Sequence, residues 1–343
     1  MTELLRTLYV TTAGSSLHLD SDAVRIYHPE WPQVRRLPLV RIDHIVVFGG
    51  VTITDDLMHR CAADHRSVTW LTGAGRFLAR VSGPQAGNPH LRISQHEHHR
   101  DGELRLRLAA WFVAGKLKNA RQVLLRSARD ATGTRQPSPR ETATICADAV
   151  RQLRAADNIN TVMGIEGYAA RRYTAAWRHL LTPHADIAAP IARSSRPATD
   201  PLNAALSFGY GLLRVAVHGA LDQVGLDPYV GFLHGIRPGK PALALDLMEE
   251  FRAELVDRVV FTAFNHRKLG TRYFQELPGG AYELTDEGQH AFLSLWSDAR
   301  SKTRRHYLLG TQVPAALLPL VQARILAWYL RGDIPKYLSW GPA

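Results

Sequence analysis

The sequence predicts an α+β fold in which a small amino-terminal β-sheet or sandwich domain, residues 1–85, precedes a larger all-α carboxy-terminal domain, residues 86–343. Three observations predict it. Up to about Val81, brief β-rich runs alternate with clusters of turn-forming residues. The stretch Ser82–Pro89, SGPQAGNP, gathers two prolines and two glycines and reads as a linker. Beyond it, apolar residues recur at three- and four-residue steps, the spacing of helices that bury one face.

In order, Leu8–Thr11, Ser16–Leu19, Val24–Tyr27, Arg36–Leu39 and His44–Phe48 read as strands, separated by AGSS, DSD and HPEWPQ. Asp55–His65 reads as one short helix, and Val68–Leu71 with Phe77–Val81 closes the sheet across Gly73 and Gly75. After the linker, HEHHR (His96–Arg100) places three histidines in four positions. The run is highly charged and lacks a second ligand group at useful spacing, so a solvated helix start is the better reading than a metal site. Glu103–Arg129 reads as a long helix with Lys116, Lys118, Arg121, Arg126 and Arg129 spread around it rather than striped. Gly133–Glu141 reads as a surface loop and Thr142–Ala155 as a helix. Leu181 is followed by about twenty residues of little periodicity, a length at which loops are functional or disordered; Arg193 and Arg196 within it are candidates for clamping DNA. Thr199-Asp200-Pro201 opens the next helix with a capping side chain and a first-turn proline, and that helix runs to about Gly225. Thr271–Leu284 has hairpin chemistry at Pro278-Gly279-Gly280. The tail from Asp286 to Arg331 reads as helices, with SKTRRH (Ser301–His306) a further basic cluster.

Length of 343 residues and 45% hydrophobic content suit a globular chain with a sizeable core. A formal net charge of +11 points to a polyanionic partner. Nucleic acid fits better than a membrane surface, because no long uncharged apolar run or signal segment is visible and the chain reads as intracellular. Cys61 and Cys146 are far apart without a CxxC pattern, so two free thiols are expected.

Two stretches carry chemistry. In GFLHGIRPGKPALALDLMEEFRAE (Gly231–Glu254), Pro238, Gly239 and Pro241 mark a tight turn, and a helix begins at Leu245 with Met248, Phe251, Leu255 and Val259 as its apolar stripe. Asp246, Glu249 and Glu250 lie opposite that stripe, where they converge with His234 or form a solvated acidic face. In NINTVMGIEGYAARRYTAAWRHLL (Asn158–Leu181), Glu166 falls at the edge of the apolar stripe, where a carboxylate is costly unless paired, protonated or metal-bound. Gly164 and Gly167 bracket it; glycine inside a helix costs about 1 kcal/mol relative to alanine, accepted where something approaches the backbone. Glu166, His234 and Asp246 or Glu249 make an oxygen-rich, single-imidazole set that suits Mn²⁺ or Mg²⁺.

The order GIEGYAARRY, RPATDPLNAALSFGYGLL and GFLHGIRPGKPALALDLMEEFR resembles the CRISPR-associated protein 1 family, the metal-dependent integrases of CRISPR adaptation, and looks closest to members found with type I-C systems. The resemblance extends over nearly the whole chain. It implies that Glu166, His234 and Glu249 are the metal ligands and that Asp246 is the companion acid one helical turn earlier; Glu250, adjacent and acidic, is not excluded by geometry. It implies that Tyr210 lies near the active site and that Asn203 belongs to the family's DPxNA element. Arg237 and Lys240, sharing a turn with His234, are the better candidates for phosphate contact. It further implies a homodimer joined through the β domain, which also contacts double-stranded DNA, and a complex of four such chains with two of CRISPR-associated protein 2. The expected reaction is attack of a protospacer 3′-hydroxyl on a CRISPR repeat. Two other readings compete: a general metal-dependent nuclease on branched or single-stranded DNA, and a non-catalytic DNA-end-binding scaffold.

Overall fold

The computed structural model describes residues 7–84, 87–130, 137–182, 184–187, 190, 192–195 and 197–341. Part of the expected linker, the start of the loop expected over Gly133–Glu141, and Arg196 lie outside the described residues.

The amino-terminal region contains β1 (Thr7–Val10), β2 (Ser16–Asp20), β3 (Ala23–Tyr27), β4 (Arg35–Pro38), β5 (His44–Phe48), β6 (Thr52–Ile53), helix α1 (Asp55–Ala63), β7 (Ser67–Leu71) and β8 (Phe77–Val81). They form two four-stranded sheets, β1-β5-β7-β8 and β4-β3-β2-β6. Both sheets are mixed: β1, β5 and β7 run parallel and β2 pairs parallel with β6, while β8, β3 and β4 join by antiparallel ladders. Parallel neighbours need a crossover, and α1 supplies the one between β5 and β7. Leu17, Val24, Ile26, Ile45, Val47, Leu57, Cys61 and Val68 fill a core of their own between the sheets and α1. The opposite face of the first sheet, through Val46, Phe48 and Leu71, packs into the large helical core. Both cysteines are buried free thiols.

The rest of the chain forms α2 (Pro89–Arg100), α3 (Gly102–Asp130), α4 (Pro137–Gln152), α5 (Ile159–Ala175), α6 (Trp177–Leu180), α7 (Pro201–Val224), α8 (Ala242–Phe251), α9 (Arg258–Asn265), α10 (Asp286–Ser301) and α11 (Leu318–Leu330). It is mostly rather than wholly helical. Hairpin β9 (Phe274–Leu277) to β10 (Ala281–Leu284) follows the expected turn, with Gly279 and Gly280 at φ +94° and +77°. A second hairpin, β11 (Thr303–His306) to β12 (Thr311–Pro314), replaces helix where SKTRRH was expected to be helical; Gly310 at φ +63° makes its turn. The HEHHR run ends α2 instead of starting a helix. Its histidines serve packing: His98 Nδ1 bonds Ser94 O at 2.9 Å and His99 Nδ1 bonds Gly231 O at 2.6 Å.

Helix α7 is the axis of the larger core. Asp200 caps it by accepting from Asn203 N at 2.8 Å, Pro201 occupies its first turn, and Gly225 ends it in the left-handed region at φ +89°. It is long and apolar enough to cross a membrane by length and composition, yet two thirds of that window is buried inside the protein, as befits a core helix. Helix α8 packs against α3 and α7, beginning at Ala242, three residues before the expected Leu245. Its continuation, Arg252–Asp257, is a π-helical segment that shifts the phase of the following side chains before α9.

Candidate active site

The expectation of a solvated acidic face on α8 is overturned: Asp246, Glu249 and Glu250 are all buried, as are Leu243, Leu247 and Met248 on the other side. Burying carboxylates on a helix enclosed all round requires each to be satisfied separately, and the three are satisfied in three ways.

Asp246 is tied to the loop before α8. Its Oδ2 accepts from Phe232 N at 2.6 Å and Leu233 N at 2.9 Å, and its Oδ1 from His234 N at 2.9 Å and the His234 ring Nδ1 at 2.6 Å. Loop and helix can approach this closely because residue 231 is glycine: a Cβ there would lie 2.6 Å from Asp246 Oδ2 and 2.7 Å from the Ala242 carbonyl carbon. With four donors on two oxygens, Asp246 orients His234. The carboxylate can only accept, so Nδ1 carries the proton and Nε2 keeps its lone pair, the arrangement that outer carboxylates impose on metal-binding histidines.

Glu250 faces the other way. It is held by Gln322 Nε2 at 2.9 Å, Trp340 N at 2.7 Å and the Tyr337 hydroxyl, in the interior between α8, α11 and the carboxy-terminal segment. Burial pushes its pKa up to about 8 even against those donors. It shares no contact with Glu166 or His234.

Glu249 lies between. Its Oε1 accepts from Arg252 NH1 at 2.7 Å, and its Oε2 stands 2.8 Å from Lys116 Nζ, too poorly aligned to be a hydrogen bond. Burial favours the neutral acid, but Arg252, Lys116 and His234 together outweigh it and hold the pKa at about 2. The carboxylate is therefore ionised across the physiological range. Lys116, on α3, also bonds Glu166 Oε1 on α5, so one ammonium bridges the two glutamates. Burial works to lower the Lys116 pKa, yet Glu249 and Glu166 raise it overall and keep it charged. Glu166 is partly exposed, with 24% of its side chain accessible. The glycine argument for it fails in part: a Cβ on Gly164 or Gly167 would meet nothing within 4 Å, so no part of the chain itself approaches the backbone there.

Around this cluster lies a polar shell in which the sequence reading named Tyr210, Arg193 and Asn203 but gave no role to Arg252 or Asp257. The Arg252 guanidinium sits 4.2 Å from the centre of the Tyr210 ring, whose hydroxyl bonds Asp257 Oδ1, while Tyr173 OH bonds Asp257 Oδ2 at 3.0 Å. Burial, then the Asp257 charge, raise the Tyr210 pKa far above its ordinary value, so this phenol stays protonated. Arg193 is drawn inward: it bonds Asn203 Oδ1 and Ser207 Oγ, each at 2.9 Å, and its guanidinium lies 5.4 Å from the Tyr210 ring centre. Asn203 is buried and also donates to Ala192 O at 3.0 Å, which fastens the connection before α7. A cavity of about 560 Å³ opens here, lined by Lys116, Arg171, Arg193, Arg252, Trp177 and Tyr210 among others. Arg237 is exposed and Lys240 half-buried on the turn beyond His234, where Lys240 N bonds Arg237 O at 3.0 Å.

The structure thus brings Glu166 and Glu249 together through Lys116, while Asp246 holds His234 on the loop before α8. Among the described residues no three His, Cys, Asp or Glu side chains are already gathered at coordinating distance, and Lys116 stands between the two glutamates. The donor chemistry nonetheless fits a hard divalent cation: two carboxylates, one buried and held ionised, and an imidazole whose proton is fixed on the far nitrogen. Asp246 and Glu250 are saturated by other partners.

Comparison with known proteins agrees with this architecture. The family model described as CRISPR associated protein Cas1 matches residues 8–298. The chain is 40% identical over 338 residues to CRISPR-associated endonuclease Cas1 1 of Moorella thermoacetica, covering 98% of each. Among solved structures it is similar in fold to a casposase bound to integration product, with a TM-score of 0.85 at 23% identity over 98% of this chain and 95% of that one. It is also similar to the Cas6-RT-Cas1–Cas2 complex, with a TM-score of 0.82 at 20% identity, covering 98% of this chain and 36% of that one. Matched from the first sheet through α10 and by full-length relatives, the chain belongs to the CRISPR-associated protein Cas1 family.

Proposed function

We propose that this chain is a metal-dependent DNA integrase of CRISPR adaptation that joins the 3′-hydroxyl ends of short protospacer DNA into a CRISPR repeat. The observation that carries the reading is the buried Glu249 joined to Glu166 through Lys116, with Asp246 orienting the His234 ring on the loop before the same helix. Family membership and the relatives' name as endonucleases support it, as does the fold of a casposase bound to integration product.

Glu166, His234 and Glu249 would hold Mg²⁺ or Mn²⁺. A bound ion of this kind supplies a Lewis acid for a phosphodiester oxygen and lowers the pKa of the attacking hydroxyl. Asp246 keeps the His234 Nε2 lone pair aimed outward, and Arg252 fixes Glu249 through Oε1. Arg237 and Lys240, on the adjoining turn, bind backbone phosphates. The fragment's 3′ oxygen forms a new bond to phosphorus, the bond from phosphorus to the repeat's 3′ oxygen breaks, and that oxygen takes up a proton as a new 3′-hydroxyl. With water as the nucleophile the same site is an endonuclease, the reading that the relatives' name favours.

The protein would work on double-stranded protospacer and repeat DNA in the cytoplasm, as a homodimer joined through the β region of residues 1–85. Four such chains would assemble with two of CRISPR-associated protein 2, a partnership for which the related Cas1–Cas2 complex is the precedent. The test is an integration assay on supercoiled DNA carrying the repeat, with a 3′-hydroxyl fragment and Mn²⁺ or Mg²⁺. Glu166→Gln, His234→Ala and Glu249→Gln should each abolish joined product while DNA binding, which comes mainly from lysine and arginine contacts, persists. Cleavage without joining would select the nuclease; joining that survives His234→Ala would sink the metal site proposed here. Loss in Glu250→Gln with retention in Glu249→Gln would reverse the assignment of the two neighbours.

A further inference from the structure

Lys116 touches both glutamates of the proposed metal site. Its ammonium bonds Glu166 Oε1 and lies 2.8 Å from Glu249 Oε2, with only 20% of the side chain exposed. It also lines the 560 Å³ cavity, beside Arg171, Arg193, Arg252 and the Tyr210 ring. Four cations and one acid, Asp257, which the Tyr173 and Tyr210 hydroxyls hold, line this cavity among apolar and aromatic side chains, so its charge is net positive. A phosphate entering there meets positive charge, whereas a divalent cation approaching the glutamates meets an ammonium already in contact with their oxygens. Two cations on the same two carboxylates repel at contact distance, and the repulsion is strong where water is largely excluded. Lysine, a point charge on a flexible four-carbon stem, is well suited to change partners.

We propose that Lys116 is a resident counter-ion that the divalent cation displaces from Glu166 and Glu249, and that the displaced ammonium moves to substrate phosphate in the adjoining cavity. Metal and DNA then bind cooperatively. Each removes the cost that the other meets: metal frees Lys116 for phosphate, and phosphate draws Lys116 off the carboxylates. By linkage the two effects are equal in magnitude. The inference rests on the metal reading above and adds to it an order of events at the site, in which empty glutamates stay neutralised until substrate and metal arrive together.

The experiment measures Mn²⁺ affinity on the full chain from the electron paramagnetic resonance signal of free Mn²⁺, with and without a single-stranded oligonucleotide whose 3′ end lacks the hydroxyl. Lys116→Met, of similar length and uncharged, should bind Mn²⁺ about tenfold more tightly than the unaltered protein when DNA is absent. The oligonucleotide should tighten Mn²⁺ binding several-fold in the unaltered protein and leave the variant nearly unchanged. Equal or weaker Mn²⁺ binding by Lys116→Met, or an equal gain from DNA in both proteins, overturns the proposal while the metal reading stands. An unaltered protein that takes up no Mn²⁺ overturns both. A second measurement needs no variant: mass-spectrometric labelling of Lys116 by an amine-reactive ester should rise as Mn²⁺ saturates the site. Labelling that stays constant through saturation overturns the displacement even if Lys116→Met does not fold.

Discussion

Three acids, Asp246, Glu249 and Glu250, lie within one helical turn of sequence, and hydrogen bonding sorts them into different tasks. Asp246 receives three backbone N–H groups and the His234 ring, so Asp246→Asn replaces one acceptor oxygen with a donor facing donors. The expected outcome is a 10- to 100-fold fall in joining rate, the usual cost of disturbing a carboxylate that orients a metal-binding histidine. A loss of about 1–3 kcal/mol in unfolding free energy should accompany it, because buried N–H groups are left without partners. Denaturant titration and single-turnover joining on the same preparation separate the two effects. Residue type alone could not assign these roles: the pattern of acids was legible, and Glu166, His234 and Glu249 could be singled out by resemblance. Lys116 could not. It stood among the cations scattered over α3, and only the meeting of α3 with α5 and α8 sets it apart from Lys118 or Arg121.

At the scale of elements, the loop that carries His234 and the helix that carries Glu249 are held together by one missing side chain. Gly231→Ala would drive a Cβ to within 2.6–2.8 Å of Asp246 Oδ2 and the backbone at Ala242 and Leu243. Backbone cannot yield as a flexible side chain does, so the variant should lose about 1–3 kcal/mol of stability. It should also show the same joining defect as Asp246→Asn, and a double variant should then lose less than the sum of the two. Elements with local signals were readable in advance. The cap at Asp200, the strand His44–Phe48 and the turn at Gly279-Gly280 each depend on residues within a few positions. Elements set by distant partners were not. The β11–β12 hairpin is tied to α11 by His306, whose Nε2 meets Gln322 Oε1 at 3.0 Å, and the π-helical segment Arg252–Asp257 ends at Asp257, which is bonded by the distant Tyr173 and Tyr210. The acidic face misled for a related reason: a helix packed on every side carries no periodic record of which polar groups are buried with it.

At the scale of the whole molecule, the first sheet and α7 press together across His44. Its Nδ1 bonds Ser67 at 2.9 Å, and Gly219 of α7 lies against the ring. Burial, helped by the charges of Arg80 and Arg300, lowers its pKa from 6.5 to about 4. The unfolded chain therefore binds this proton more readily than the native protein. Stability is unaffected by it above pH 6.5, falls as pH drops from 6.5 to about 4, and is flat for this group below that. His218, lowered to about 3 by burial and then by Arg80 and Arg214, adds slope in the same direction. Urea midpoints measured across this range should decline, and His44→Asn should flatten the decline. The net charge of +11 acts on partners instead, and DNA affinity should weaken steeply with salt. One contact also sets the timing of assembly. Glu250, next to the proposed ligand Glu249, is held by Tyr337 and by the backbone of Trp340, so α8 is enclosed only when chain made some ninety positions later returns to it. On a ribosome the glutamates and histidine emerge well before the residues that seat them. Nascent or prematurely terminated chains therefore carry the proposed ligands without the Tyr337 and Trp340 contacts that hold the neighbouring Glu250.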